Sequence, residues 1–180
     1  MNILLGVTGS IAAYKAIELV RLLTKAGHAV QVVLTESAQR FVTPLTFEAL
    51  SGKAVITDLW TLQGHEIGHV ERAHEVDLLI VAPASANTIA RLAHGMADDA
   101  LCAIALSTRA RLLIAPAMET GMWLHAATQA NVALLVARGA TIVGPDAGDL
   151  ASGRSGLGRM VAVEEIFAQV APPSRARWSG

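Results

Sequence analysis

Five short, almost unbroken apolar runs, each followed by a helical pattern, leave this chain few folds to adopt. They are NILLGV (2–7), AVQVVLT (29–35), VDLLIVAP (76–83), RLLIAP (111–116) and ATIVGP (140–145). A strand with one wet face alternates apolar and polar residues. Strands that are apolar throughout are covered on both faces, as in a parallel sheet held between helices. SIAAYKAIELVRLLTKAG supplies the first helix, with Ile11, Ile17, Val20 and Leu23 near helical spacing and Gly27 as its stop. Further helical patterns cover 36–41, 45–51, 69–75, 86–94, 98–107, 126–138 and 163–170. Strand and helix in alternation predict an α/β fold, a doubly wound parallel sheet with right-handed crossovers. No repeat or linker divides it. We expect a single domain over residues 1–171 and a loose basic tail over 172–180.

Composition narrows the function classes. The 180 residues suit one sizeable core, and 53% hydrophobic against 16% charged content excludes disorder. A charge-poor surface favours subunits packing together. With a net charge of -1 and no basic run, nucleic acid is not an expected partner. No apolar run reaches the roughly 18 residues that span a bilayer, and MNILLGV lacks the marks of a signal peptide. Cys102, in ALCAIAL, is the only cysteine, so no disulfide framework exists and a cytoplasmic location is expected. It reads as a buried structural thiol.

In such sheets ligands bind beyond the carboxyl ends of the strands. Those ends here carry TGS, TES, APASANT, APAMETGMW and GPDAGD, mostly small residues with hydroxyl or amide groups, which points to one shared cleft. In GVTGSIAAYKA, Gly6, Gly9 and Ser10 stand between the first strand and first helix. Free N–H groups and the helix dipole make an anion site there, and glycine lets a phosphate come close. A strand-to-helix turn with an N-cap serine would use the same residues, and the stretch is neither GxGxxG nor a Walker A motif. After the second strand, Glu36 is a candidate for a ribose, whereas Thr35 and Ser37 suit a monophosphate or a ribityl chain. Asn87 and Thr88 are candidates to cap the helix that follows APASANT. HEIGH (65–69) matches the zinc motif H-E-x-x-H, but Gly64 and Gly68 flank and interrupt it, so no metal is expected.

GVTGSIAAYKAIELVRLLTKAGHAVQVVLTESA, FVTPLTFEALSG, HVERAHEVDLLIVAPASANTIARLAHGMADD and PAMETGMW together resemble the flavin-containing cysteine decarboxylase superfamily. The nearest branch is the phosphopantothenoylcysteine decarboxylase domain of coenzyme A biosynthesis, and the likeness runs from about residue 2 to 170. It implies a flavodoxin-like, Rossmann-type fold, bound FMN, and a homotrimer or an assembly of trimers with flavin near subunit contacts. Carried over, Gly9, Ser10 and Ile11 meet the FMN phosphate with Thr35 nearby. Ala84, Ser85, Asn87 and Thr88 line the flavin, Met118 lies by the substrate, and His69 falls on the family's active-site histidine.

Two positions depart from the pattern. The decarboxylase motif resembles P-A-M-N-x-x-M-W, its asparagine binding the substrate carboxylate, and Glu119 stands in its place. A loop resembling A-C-G-D carries a cysteine that helps to reduce the oxidised intermediate. LASGRSGLGRM holds Ser152 and Arg154 at the cysteine and the acid. A glutamate repels a substrate carboxylate, and serine does not replace a thiol in redox work. The expectation that follows is an FMN-dependent oxidoreductase, resembling the dihydromethanopterin reductases. It would take electrons from NADH or NADPH and pass them to a heterocycle held by Glu119. Arg154 and Arg159 on the substrate loop would meet an anionic tail or a nicotinamide phosphate. The alternative is decarboxylation of phosphopantothenoylcysteine or a peptidyl cysteine. A non-catalytic flavin-binding subunit is a third reading, and the long acidic tails of such relatives are missing.

Overall fold

The structure, a computed structural model, describes residues 1–59 and 75–170. Five strands, β1 (Asn2–Val7), β2 (Ala29–Leu34), β3 (Leu78–Ala84), β4 (Arg111–Pro116) and β5 (Thr141–Ile142), form one sheet in the order β2-β1-β3-β4-β5. Every pairing within it is parallel. The near-continuous apolar runs divide by residue parity. Ile3, Leu5 and Val7 of β1 and Leu78, Ile80 and Ala82 of β3 enter one core; Leu4, Leu79 and Val81 enter the other. That is the doubly wound parallel sheet expected from the strand pattern, in the flavodoxin-like form that the resemblance implied.

On the first face lie α1 (Ala13–Lys25), α2 (Pro44–Ser51) and α7 (Val163–Ala168). Helix α1 buries Ala13, Ala16, Leu19, Val20 and Leu23, one stripe at helical spacing, and Phe47 of α2 is fully enclosed beside it. It ends where expected, with Gly27 at a positive φ of 82°. On the other face α3 (Ala86–His94), α4 (Ala100–Ser107) and α6 (Ala126–Ala137) contribute Ile89, Ala93, Leu101, Ile104 and Leu135. A single turn, α5 (Thr120–Trp123), precedes α6. None of the described helices is long and apolar enough to cross a membrane.

Several local expectations differ from the structure. The expected helix over 36–41 is a 3-10 turn at Ala38–Arg40. The last strand pairs only at Thr141–Ile142, and the chain then forms an antiparallel hairpin, β6 (Asp146–Asp149) and β7 (Ser155–Arg159). DAGD and SGLGR carry too few apolar side chains to announce strands; their pairing is backbone chemistry on the rim. The HEIGH segment and the candidate helix over 69–75 lie largely or wholly outside the described residues. Among the described residues no group of three or more metal-ligating side chains converges.

Candidate active site

The strand order reverses between β1 and β3, and a cleft opens at that point. Thr8 joins the two strand ends there. Its buried hydroxyl donates to the Pro83 carbonyl at 2.7 Å and accepts the Ser85 N–H at 2.9 Å, tying the two strand ends together. Thr8→Val keeps the shape and leaves the Ser85 N–H without its acceptor. The expected loss is about 1–3 kcal/mol, a fall of about 2–4 °C in melting temperature per kcal/mol. An unchanged midpoint on thermal denaturation would show that the clamp is dispensable.

The cleft encloses about 680 Å³, within the usual range for a bound cofactor or ligand. Gly9, Ser10, Ile11, Ser85, Met118, Glu119 and Arg159, all singled out from sequence, lie on its walls. The turn after β1 is held by Ser10 N–H donating to the Thr8 carbonyl and Ala12 N–H donating to Ser10 Oγ. That leaves the Gly9 and Ile11 N–H groups without an acceptor among the described residues. Gly9 has a steric reason as well: a Cβ there would stand 2.5 Å from Ser37 Cβ. Two free N–H groups, a serine hydroxyl and a close-packed glycine fit a phosphate. Ser10 is not the helix N-cap that its position suggested; Ala12 is, with no side-chain cap bond.

The other candidates fall less simply. Ser85, rather than Asn87 or Thr88, caps α3, accepting the Thr88 N–H at 3.3 Å. Thr88 is buried, its hydroxyl paired with that of Ser85, while Asn87 is exposed. Ala84 is fully enclosed in the sheet. Thr35 accepts the Ala38 N–H at 3.3 Å and, with Glu36, lines a second hollow of about 440 Å³ that also meets Asp58, Asp98 and Asp99. His69 lies outside the described residues.

Glu119 and Ser152, the two departures, meet each other. Ser152 Oγ donates to Glu119 Oε2 at 3.0 Å, which links the hairpin tip to the turn before α5. The hairpin is seated by Met118 N–H on the Gly158 carbonyl at 3.0 Å, and Gly158, at φ 152°, approaches Met118 so closely that a Cβ would strike its carbonyl oxygen. Arg154 is exposed and outside the cleft wall.

Sequence reasoning missed Lys15, Tyr14, Phe41, Met122 and Asp149, which also line the cleft. Lys15 Nζ donates to the Met160 carbonyl at 3.0 Å, and burial, then the charge of Arg159, lower its pKa from the ordinary 10.5. A signal for it existed: a lysine in the first turn of α1 opposes the helix dipole, so it needs another reason to be there. Cys102 is as expected. Desolvation, with Asp99 beside it, pushes its thiol up to about 12. Iodoacetamide at pH 8 should leave the native thiol unmodified and alkylate it in denaturant; rapid native labelling would contradict this burial.

A family model described as Flavoprotein matches residues 1–172. The coenzyme A biosynthesis bifunctional protein CoaBC of Mycolicibacterium smegmatis is 52% identical over 165 residues, 92% of this chain and 40% of the relative. The chain thus spans about two-fifths the length of the curated relatives it matches. Among solved structures, a cysteine-to-serine mutant of PPC decarboxylase complexed with pantothenoylaminoethenethiol aligns at TM-score 0.85 and 31% identity, covering 94% of this chain and 95% of the other. The FMN-dependent cysteine decarboxylase SpaF aligns at TM-score 0.80 and 31% identity, covering 95% and 98%. These likenesses overturn the expected electron-transferring reductase fed by NADH or NADPH. The similarity runs to decarboxylases over almost the whole chain, and the two substitutions that suggested otherwise form one local contact.

Proposed function

This chain belongs to the flavoprotein family, and from that premise we propose that it is an FMN-dependent carboxy-lyase acting on a cysteine-derived thiol acid. The observation that carries the reading is the cleft at the β1/β3 reversal, whose lining joins the Gly9–Ser10–Ile11 turn to the cations Lys15 and Arg159. Gly9, Ile11, Ser10 and Ser37 would hold the FMN phosphate, and Ser85 and Met118 the wall along the flavin. Thr35, Ala84, Asn87 and Thr88 are proposed as its further contacts. Bound flavin would take two electrons so that the thiol-bearing carbon reaches the thioaldehyde level, which can accept the electron pair left by departing carbon dioxide, and would return the two electrons to the resulting enethiol.

The protein's own groups do the positioning. The charge of Arg159 adds to burial in lowering the proton affinity of Lys15, so an anion placed beside both cations gains from both. A substrate carboxylate is such an anion. His69 is proposed as the active-site histidine on the sequence resemblance. Exposed Ile11, Tyr14 and Phe41 on the cleft rim suit a second copy of the chain, and a homotrimer or assembly of trimers is the proposed form.

The test is direct. FMN-loaded protein is given free cysteine, phosphopantothenoylcysteine and a peptide ending in cysteine, and carbon dioxide is measured. Release from at least one of them is expected; none from any would overturn the reading.

A further inference from the structure

We propose that Glu119 selects a substrate carrying a free ammonium group beside the carboxylate that is lost. The proposal rests on the cysteine carboxy-lyase reading above and deepens it.

Glu119 is half-buried on the wall of the 680 Å³ cleft. Among the described residues its carboxylate takes one hydrogen bond, from a neutral hydroxyl, Ser152 Oγ. No described lysine or arginine lies within ion-pair distance of it; the ion pairs there all belong to Arg91 with Asp98 and Asp99. Each cation of the cleft makes its contacts away from Glu119. Lys15 Nζ donates to the Met160 carbonyl at 3.0 Å. Arg159 lies across Gly148, whose bare Cα admits the guanidinium carbon to within 2.8 Å of where a Cβ would stand. The remaining acid of the lining, Asp149, receives the Ser155 hydroxyl.

The cleft therefore presents two cations from α1 and β7, and, from the turn before α5, an anion with no charged partner among the described residues. Opposite charges on the walls of one cleft can both be met by a zwitterion. An amino-thiol acid offers a carboxylate to Lys15 and Arg159 and, one bond from the same carbon, an ammonium to Glu119. An N-acylated cysteine offers only a neutral amide N–H at that point and brings its carboxylate toward an uncompensated like charge. Specificity of this kind combines attraction for one substrate with repulsion of its neighbour in chemical space.

Cysteamine and N-acetylcysteamine differ at the nitrogen while sharing the thiol, and neither has a carboxylate to confuse the comparison. Titrated calorimetrically into FMN-loaded protein, cysteamine should bind at least about tenfold more tightly. In Glu119→Gln, with flavin content and melting temperature checked against the unmodified chain, the two affinities should converge. Equal binding, tighter binding of the amide, no measurable binding of either ligand, or a preference that survives Glu119→Gln would overturn the proposal. Carbon dioxide assays separate its fate from that of the broader reading. An ammonium preference without decarboxylation of any cysteine derivative keeps the role of Glu119 and removes the carboxy-lyase. Faster release from N-acylated than from free cysteine keeps the carboxy-lyase and removes this selection.

Discussion

Gly9→Val should yield a protein that stays colourless after gel filtration with added FMN, its affinity for the flavin weakened by about 100-fold or more. Two effects act together. The new Cβ would stand 2.5 Å from Ser37 Cβ, closer than two carbons sit, so the turn after β1 and the turn after β2 must separate. That movement displaces the Gly9 and Ile11 N–H groups, the two left without an acceptor among the described residues. Charge-assisted hydrogen bonds to a phosphate contribute about 1.5–3 kcal/mol each, so losing two accounts for the whole change. Ile11→Ala is the control. It removes an exposed side chain, keeps the backbone donor, and should retain the yellow colour. Stoichiometric flavin on Gly9→Val would place the phosphate elsewhere and undo the assignment of this turn.

The same turn shows how far sequence alone carries. The strands were legible because burial on both faces demands apolar residues at every position, and β1, β2, β3 and β4 coincide with their runs to within two residues. Glycine and serine at positions 9 and 10 marked the turn that is proposed to hold the phosphate. The exact capping residues were not legible, since Ser85, Asn87 and Thr88 are equally able acceptors by chemistry; only the backbone path puts the Ser85 hydroxyl on the Thr88 N–H. The hairpin was hidden for the opposite reason. Its glycines meet neighbours through absent side chains, Gly148 under Arg159, Gly156 against Thr120 and Gly158 against Met118, and absence leaves no periodicity to read. That hairpin is what brings Ser152 to Glu119, so the substitution pair appeared as two separate losses. Reading them separately produced the reductase; seen in contact they are one altered wall of a single cleft.

Restoring both positions should change turnover far more than restoring either. In Glu119→Asn with Ser152→Cys, kcat/KM for an N-acylated cysteine is expected to rise by about 100-fold over the unmodified chain. Two carboxylates about 4 Å apart repel by about 4 kcal/mol at an effective dielectric of about 20. The half-open setting of Glu119 screens part of that, and about 2.7 kcal/mol corresponds to the expected gain. Glu119→Asn alone removes the repulsion and should deliver part of the increase, limited by the missing thiol on the loop. Ser152→Cys alone should deliver little. The new thiol would sit where Ser152 now lies 3.0 Å from the Glu119 carboxylate, and a neighbouring anion raises a thiol pKa and suppresses the reactive thiolate. The effects should therefore be coupled, the double variant exceeding the product of the two singles, as residues in direct contact commonly show. Simple multiplication of the single effects would mean that the contact has no part in catalysis. A double variant no faster than the unmodified chain would show that Glu119 and Ser152 do not set its substrate.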